Sequence, residues 1–261
     1  MRHSPYRISL ARFILTGSLS LAAFAARAAE MPKDFVYLRD VDPTIQQDMR
    51  YAGPGNFAGK TAPGYEAAEC VLVRQAAEAL KAVQADLRTK GLALKVYDCY
   101  RPVRAVAAFI DWANGPDDPQ SKAIYYPNIP KGALIPDYIA PRSGHSRGAT
   151  VDLTLVPLAG EMKDWPASGP CTAPQGSEAP DGSLAMGTTF DCFDGKSGVI
   201  ASNITAEQNA NRIALDDGTY GYCEETGEPI SLKRLDARPI ATLSVEAQER
   251  HERRERVYRD E

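Results

Sequence analysis

Histidine is scarce in this chain: three in 261 residues, at His3, His145 and His251. A catalytic zinc normally takes three protein ligands, and with His3 inside an N-terminal export pattern, too few histidines remain for an all-histidine centre. The five cysteines, Cys70, Cys99, Cys171, Cys192 and Cys223, form no CxxC pair, which leaves little support for a thiolate zinc site. The two tryptophans, Trp112 and Trp165, are far apart. Neither sign of charge dominates: 30 basic against 34 acidic residues give a formal net charge of −4. The whole chain therefore does not read as a nucleic-acid or polybasic membrane binder. Past the first thirty residues no apolar run is long enough for a bilayer span of about 20 residues. No internal repeat is visible.

What is present begins with an export pattern. Arg2, Arg7 and Arg12 precede the short apolar run FILTGSLSLAAFAA, and Ala26-Arg27-Ala28 fits a small-residue cleavage site. Residues 1–29 are read as a signal peptide, with a periplasmic or secreted mature chain. In an oxidising compartment cysteines tend to pair, and five leave one over.

Residues 30–66 are rich in turn formers and read as loop. In VLVRQAAEALKAVQADLRTKG, Ala76, Leu80, Val83 and Leu87 share a helical face, and Gly91 ends the helix. LALKVYD, residues 92–98, alternates as a strand. Pro102 suits the first turn of a second helix. Residues 115–142 read mostly as loop. ATVDLTL is a strand with Val151, Leu153 and Leu155 on one side and Thr150, Asp152 and Thr154 on the other. Residues 157–185 form a long Pro-, Gly- and Ser-rich loop, across which Cys171 and Cys192 are a candidate staple. Thr205 caps a helix beginning at ITAEQNANR. Helices on a small sheet with long loops give an α+β class.

His145 and Asp152, in SGHSRGATVD, are an imidazole and a carboxylate that suit zinc. The spacing H-x6-D alone is a weak pattern, equally compatible with a capped turn entering a strand. Arg101, in YDCYRP, sits where a strand meets a helix and could aim its fork at a carbonyl or carboxylate oxygen. It could equally make a helix-end salt bridge. Asp191, in TTFD, could hold an ammonium or simply form a turn.

Together YDCYRPVRAV, SGHSRGATVDLTL and MGTTFDCFD resemble the zinc D-alanyl-D-alanine dipeptidases of the VanX type, in order and separation, over residues 35–212. The resemblance implies a zinc DD-peptidase fold, an α+β domain with a small antiparallel sheet flanked by helices. It implies zinc as cofactor, a D-Ala-D-Ala-type dipeptide as substrate, His145 and Asp152 as metal ligands, and Arg101 stabilising the oxyanion. It implies Asp191, helped by Ser143, binding the dipeptide's free amino group. The family pattern then runs on to a Glu-Trp-Trp-His element that supplies the general base and the third ligand. That element is absent here: His3 lies in the leader, and His251 sits in AQERHERRE with Gln248 where a glutamate is needed.

Residues 214–261 resemble instead the C-terminal zinc-finger region of the DksA/TraR family, which binds RNA polymerase. Its four cysteine positions are Cys223, Thr226, Ser244 and Ala247 here, so this finger is not expected to bind zinc. The expected division is residues 1–29, a leader; 30–212, a dipeptidase-like domain without its C-terminal part; and 213–261, a DksA/TraR-like tail. Removing Cys223 with the tail leaves four cysteines, which allow three pairings. Three functions follow from these resemblances: hydrolysis of D-Ala-D-Ala, weak for want of the Glu-x-x-His element; RNA polymerase binding through the tail, which export opposes; or a catalytically dead peptide binder. No nucleic-acid partner and no stable membrane partner are expected.

Overall fold

The computed structural model describes residues 31–160, 169–173, 176, 179–198, 201 and 203–216. Residues 1–29, expected to be a leader, and Trp165, Cys223, Gln248 and His251 lie outside them. The described chain is α+β, as the sequence predicts. Strands β1 (Phe35–Tyr37) and β3 (Val71–Val73) pair antiparallel. A second sheet has the order β2-β4-β5, built from Gln46–Gln47, Leu92–Asp98 and Asp152–Pro157. In it β4 pairs antiparallel with β5 and parallel with the two-residue β2. The helices are α1 (Leu38–Val41), α2 (Arg74–Thr89), α3 (Val103–Asn114), α4 (Pro119–Tyr125) and α5 (Ala206–Asp216).

Helix α2 forms where the apolar periodicity placed it. Ala76, Ala77 and Leu87 are buried, with Leu80 and Val83 packed against the same core. It stops at Gly91, whose φ of 74° is open to glycine at little cost. Central strand β4 is buried over all but its first residue. Leu94 and Val96 join Leu155 of β5 in one apolar core, while Tyr51, Phe57, Phe109, Tyr126 and Phe193 make a second, aromatic one. Pro102 stands at the N-cap of α3, one place outside the helix.

Two segments expected to be loop hold regular structure. Residues 30–66 contain β1, α1, β2 and a 3-10 turn at Arg50–Ala52. Such short elements carry no readable period, and tertiary pairing with β3 and β4 makes them. Residues 115–142 contain α4 and a 3-10 turn at Lys131–Ala133. Asp118 caps α4 by accepting from Gln120 N, and Pro119 fits its first turn. Thr205 does cap α5: its Oγ1 accepts from Gln208 N at 3.1 Å, and Gln208 Oε1 accepts from Thr205 N at 3.0 Å.

Two contacts dock the segment 181–198 on this frame. Asp181, 2% exposed, accepts from Arg50 and Tyr97 and pairs at 3.0 Å with the fully buried Lys95 of β4. Burial lowers the pKa of the Lys95 amine, and Asp181 opposes that shift. From α5, Arg212 donates to the carbonyls of Met186, Lys196 and Gly198, at 2.7, 2.9 and 2.7 Å. One guanidinium thus fastens both ends of the segment that carries Asp191. Breaking a buried pair by removing one partner strands the other charge. Asp181→Ala is therefore expected to cost about 3–5 kcal/mol of unfolding free energy, read from urea denaturation midpoints.

Candidate active site

The last residues of β4 and the turn beyond it bring the site together. Asp98, fully buried, accepts from Tyr65 Oη through Oδ1 and from Arg101 Nε through Oδ2, at 2.6 and 2.9 Å. Arg101 Nη2 also lies 2.8 Å from Asp98 Oδ2 and 3.3 Å from Asp152 Oδ2. The helix-end salt bridge and the site-directed fork are thus the same arrangement. The guanidinium lies over the Tyr51 ring at 5.1 Å.

His145 sits on a 3-10 turn, Gly144–Arg147, that Ser143 caps by accepting from His145 N at 3.3 Å. Gly148 ends the turn with φ 72°, and a side chain there would strike the Phe35 ring. The imidazole Nδ1 lies 2.9 Å from the Cys99 carbonyl oxygen. A carbonyl can only accept, so Nδ1 carries the proton and Nε2 keeps its lone pair. Nε2 faces Asp152 Oδ1 at 3.3 Å. Burial alone lowers the imidazole pKa, but Asp152 outweighs it and the net shift is upward. For Asp152, burial raises the pKa and His145 reverses the shift, holding it below the usual carboxylate range.

Asp191 adopts φ 56°, a left-handed conformation rare for a residue with a side chain. Its Oδ1 accepts from Tyr51 Oη at 2.9 Å, and its buried Oδ2 has no hydrogen-bond partner. Burial first, and then Asp152, push its pKa up to about 8. Tyr51 therefore links Asp191 to Arg101. Of the residues singled out in the sequence, Arg101, His145 and Asp152 touch one another, Ser143 shapes the histidine turn, and Asp191 faces the group through Tyr51. Sequence reading missed Asp98, Tyr51, Tyr65 and the Cys99 carbonyl. Asp98 stood inside YDCYRP and could have been singled out; nothing local marks the other three.

The donors fit zinc as half a site. Two ligands on a tetrahedral zinc with bonds of about 2.0–2.1 Å stand about 3.3 Å apart, the separation of His145 Nε2 and Asp152 Oδ1. Asp98 lies within 4.8 Å of both residues, but it approaches the ring's Nδ1 side, at 3.3 Å. Tyr65 and Arg101 already occupy its oxygens. It serves as an anchor for the arginine, not as the third donor.

A zinc-type donor pair beside an anchored arginine, on a small α+β frame, defines a metallopeptidase class of site. Residues 31–165 match the family described as D-ala-D-ala dipeptidase. The D-alanyl-D-alanine dipeptidase of Enterococcus faecalis is 34% identical over 187 residues, covering 71% of this chain and 82% of that protein. That of Streptomyces coelicolor is 42% identical over 134 residues, covering 51% and 66%. The chain belongs to the D-Ala-D-Ala dipeptidase family, a family of zinc metallopeptidases. It also carries, at residues 218–253, a match to the prokaryotic dksA/traR C4-type zinc finger. Over 47 residues the chain is 79% identical to the RNA polymerase-binding transcription factor DksA of Caulobacter vibrioides, 18% of this chain and 33% of that protein.

The raised pKa of Asp191 has a stability consequence. The folded state holds this proton up to about pH 8, against an ordinary value of 3.8. Its contribution is full below the ordinary value and is lost as pH rises through about 8. In EDTA-treated protein the urea midpoint is expected to fall across that window, and less so in Asp191→Asn, whose amide has no proton to lose.

Proposed function

We propose that this chain recognises D-alanyl-D-alanine or a related dipeptide with a free amino group, at a two-donor zinc half-site, and hydrolyses it poorly. The observation that carries the reading is the meeting of a His145–Asp152 donor pair, the anchored Arg101 and the unsatisfied carboxyl of Asp191 in one cluster. His145 and Asp152 would hold the metal. Zinc supplies Lewis acidity to a scissile carbonyl when bound in such a site.

The protein's own groups would do the rest. Arg101, held by Asp98, presents a fixed positive charge where negative charge grows on the reacting carbonyl oxygen. Asp191 Oδ2 would accept from the substrate ammonium, and that neighbouring charge would draw the carboxyl to its ionised form. Tyr51 holds the other oxygen and fixes the carboxyl plane. A carboxyl at this place selects a free N-terminus and so favours a dipeptide over a longer peptide. Ser143 stands at the rim of the same turn as His145. No glutamate or histidine in an E-W-W-H order follows α5, so the general base and third donor of the family pattern are wanting. Turnover should suffer by at least the 10²–10⁴-fold that general acid–base catalysis contributes.

Export of the mature chain is part of the proposal. Its support is the N-terminal pattern and two disulfides among the described residues, Cys70–Cys99 and Cys171–Cys192, since such bonds persist in oxidising compartments. The tail supports a second reading, binding to RNA polymerase. A polymerase pull-down on the purified chain tests it, and export opposes it. We assign zinc to the half-site, because the tail keeps one cysteine of four.

The main test is calorimetry and D-alanine release on the zinc-supplemented protein. The expected result is measurable D-Ala-D-Ala binding, none for the N-acetylated dipeptide, and turnover at least about 100-fold below that of a complete family member. Asp191→Asn should abolish the binding. Turnover at the level of a complete enzyme would overturn the reading of the missing base.

A further inference from the structure

We infer that the two disulfides are positioning elements, each bracing a different half of the site: Cys70–Cys99 the metal half, Cys171–Cys192 the ammonium half. The inference rests on the functional reading above and deepens it. Cys99 lies within the stretch 98–101, which supplies the Asp98 carboxylate, the Cys99 carbonyl and the Arg101 guanidinium to the site. Beyond Asp98 that stretch has left β4 and not yet entered α3. Its links to the histidine turn are Arg101 N to His145 O, 3.3 Å, and Ser146 Oγ to Arg101 O, 2.8 Å. The end of that turn is tied to β3, Gly148 O accepting from Val73 N at 2.8 Å.

The firmer anchor is Cys70. Its backbone is tied on both sides, Leu38 N donating to Cys70 O and Cys70 N donating to Gln47 Oε1, each at 2.9 Å. Tyr100 N donates to Val71 O at 3.0 Å alongside. The disulfide, fully buried at both ends, transmits this anchorage to the carbonyl that sets the His145 tautomer. Partners of this kind, one bond behind a metal ligand, are worth about 10–100-fold in metal affinity.

Cys192 follows Asp191 directly. A left-handed aspartate persists only where its surroundings over-determine it. Here Cys192 is bonded to Cys171, whose N donates to Ile124 O at 2.7 Å and whose O accepts from Thr189 N at 3.0 Å. Phe193 N donates to Tyr125 O at 2.8 Å. Helix α4 is thus the fixed body, and the disulfide carries its rigidity to the residue beside Asp191.

The test is a crossed pair of variants, Cys70→Ala with Cys99→Ala, and Cys171→Ala with Cys192→Ala. Zinc ion and D-Ala-D-Ala serve as calorimetric probes. NMR reads the His145 ring nitrogens in alkaline metal-free buffer and the backbone carbon shifts of Asp191. Loss of Cys70–Cys99 should raise the zinc dissociation constant about 10–100-fold and replace the single Nδ1–H tautomer by a mixture, with the Asp191 shifts unmoved. Loss of Cys171–Cys192 should move the Asp191 shifts and weaken dipeptide binding, with zinc affinity and the tautomer unchanged. General destabilisation would move both sets together, and that result, or no movement in either, overturns the inference. Should an alanine pair fail to fold, the valine pair at the same two positions, read by the same spectra, separates the same outcomes. If the wild-type chain binds neither zinc nor dipeptide, the functional reading fails, while the two NMR signals still decide the bracing.

Discussion

Asp98 is a carboxylate with no exposed surface at the end of a buried strand, and the arrangement of the site follows from having to satisfy it. Burial pushes its pKa up, and Arg101 and His145 oppose that shift. One oxygen takes the Tyr65 hydroxyl and the other the guanidinium of Arg101. A buried anion this close to a guanidinium holds it in one pose. Arg101 then spans from Asp98 to Asp152, and Asp152 in turn faces His145. Replacing Asp98 would therefore disturb Asp152 as well, since Arg101 would be free to leave it.

The sequence made the framework legible where periodicity or capping was strong. Helix α2, strands β4 and β5, and the Thr205 cap needed only local rules. The short elements did not, because β2 is two residues held by a neighbour in space. The same divide runs through the site. His145, Asp152, Arg101, Ser143 and Asp191 stand in quotable motifs, so pattern matching found them. Tyr51 and Tyr65 stand alone in a turn-rich stretch, and only the fold carries them 140 and 33 residues along the chain to Asp191 and Asp98. The Cys99 carbonyl is a backbone atom, invisible to any reading of side-chain types. The Cys171–Cys192 staple was legible from its loop, and with four cysteines it leaves Cys70 to pair with Cys99, as the fold has them.

The polar groups of the core fall into two sets with different duties. Lys95, Asp181, Tyr97 and Arg50 neutralise one another inside the domain, and Asp181, held down to a pKa of about 2, stays ionised through the ordinary pH range. Asp191 is the contrast: one oxygen is satisfied, the other is not, and its pKa is raised. An isolated ionised carboxyl is costly to bury, and Asp191 accordingly keeps its proton to far higher pH than Asp181 does.

Helix α5 runs to Asp216, and the DksA-type match begins at residue 218. Arg212, three-fold bound to the Asp191 segment, therefore lies ahead of the residues that match the zinc finger. The clasp on the Asp191 segment and the zinc-finger match thus lie next to each other in sequence without sharing a residue.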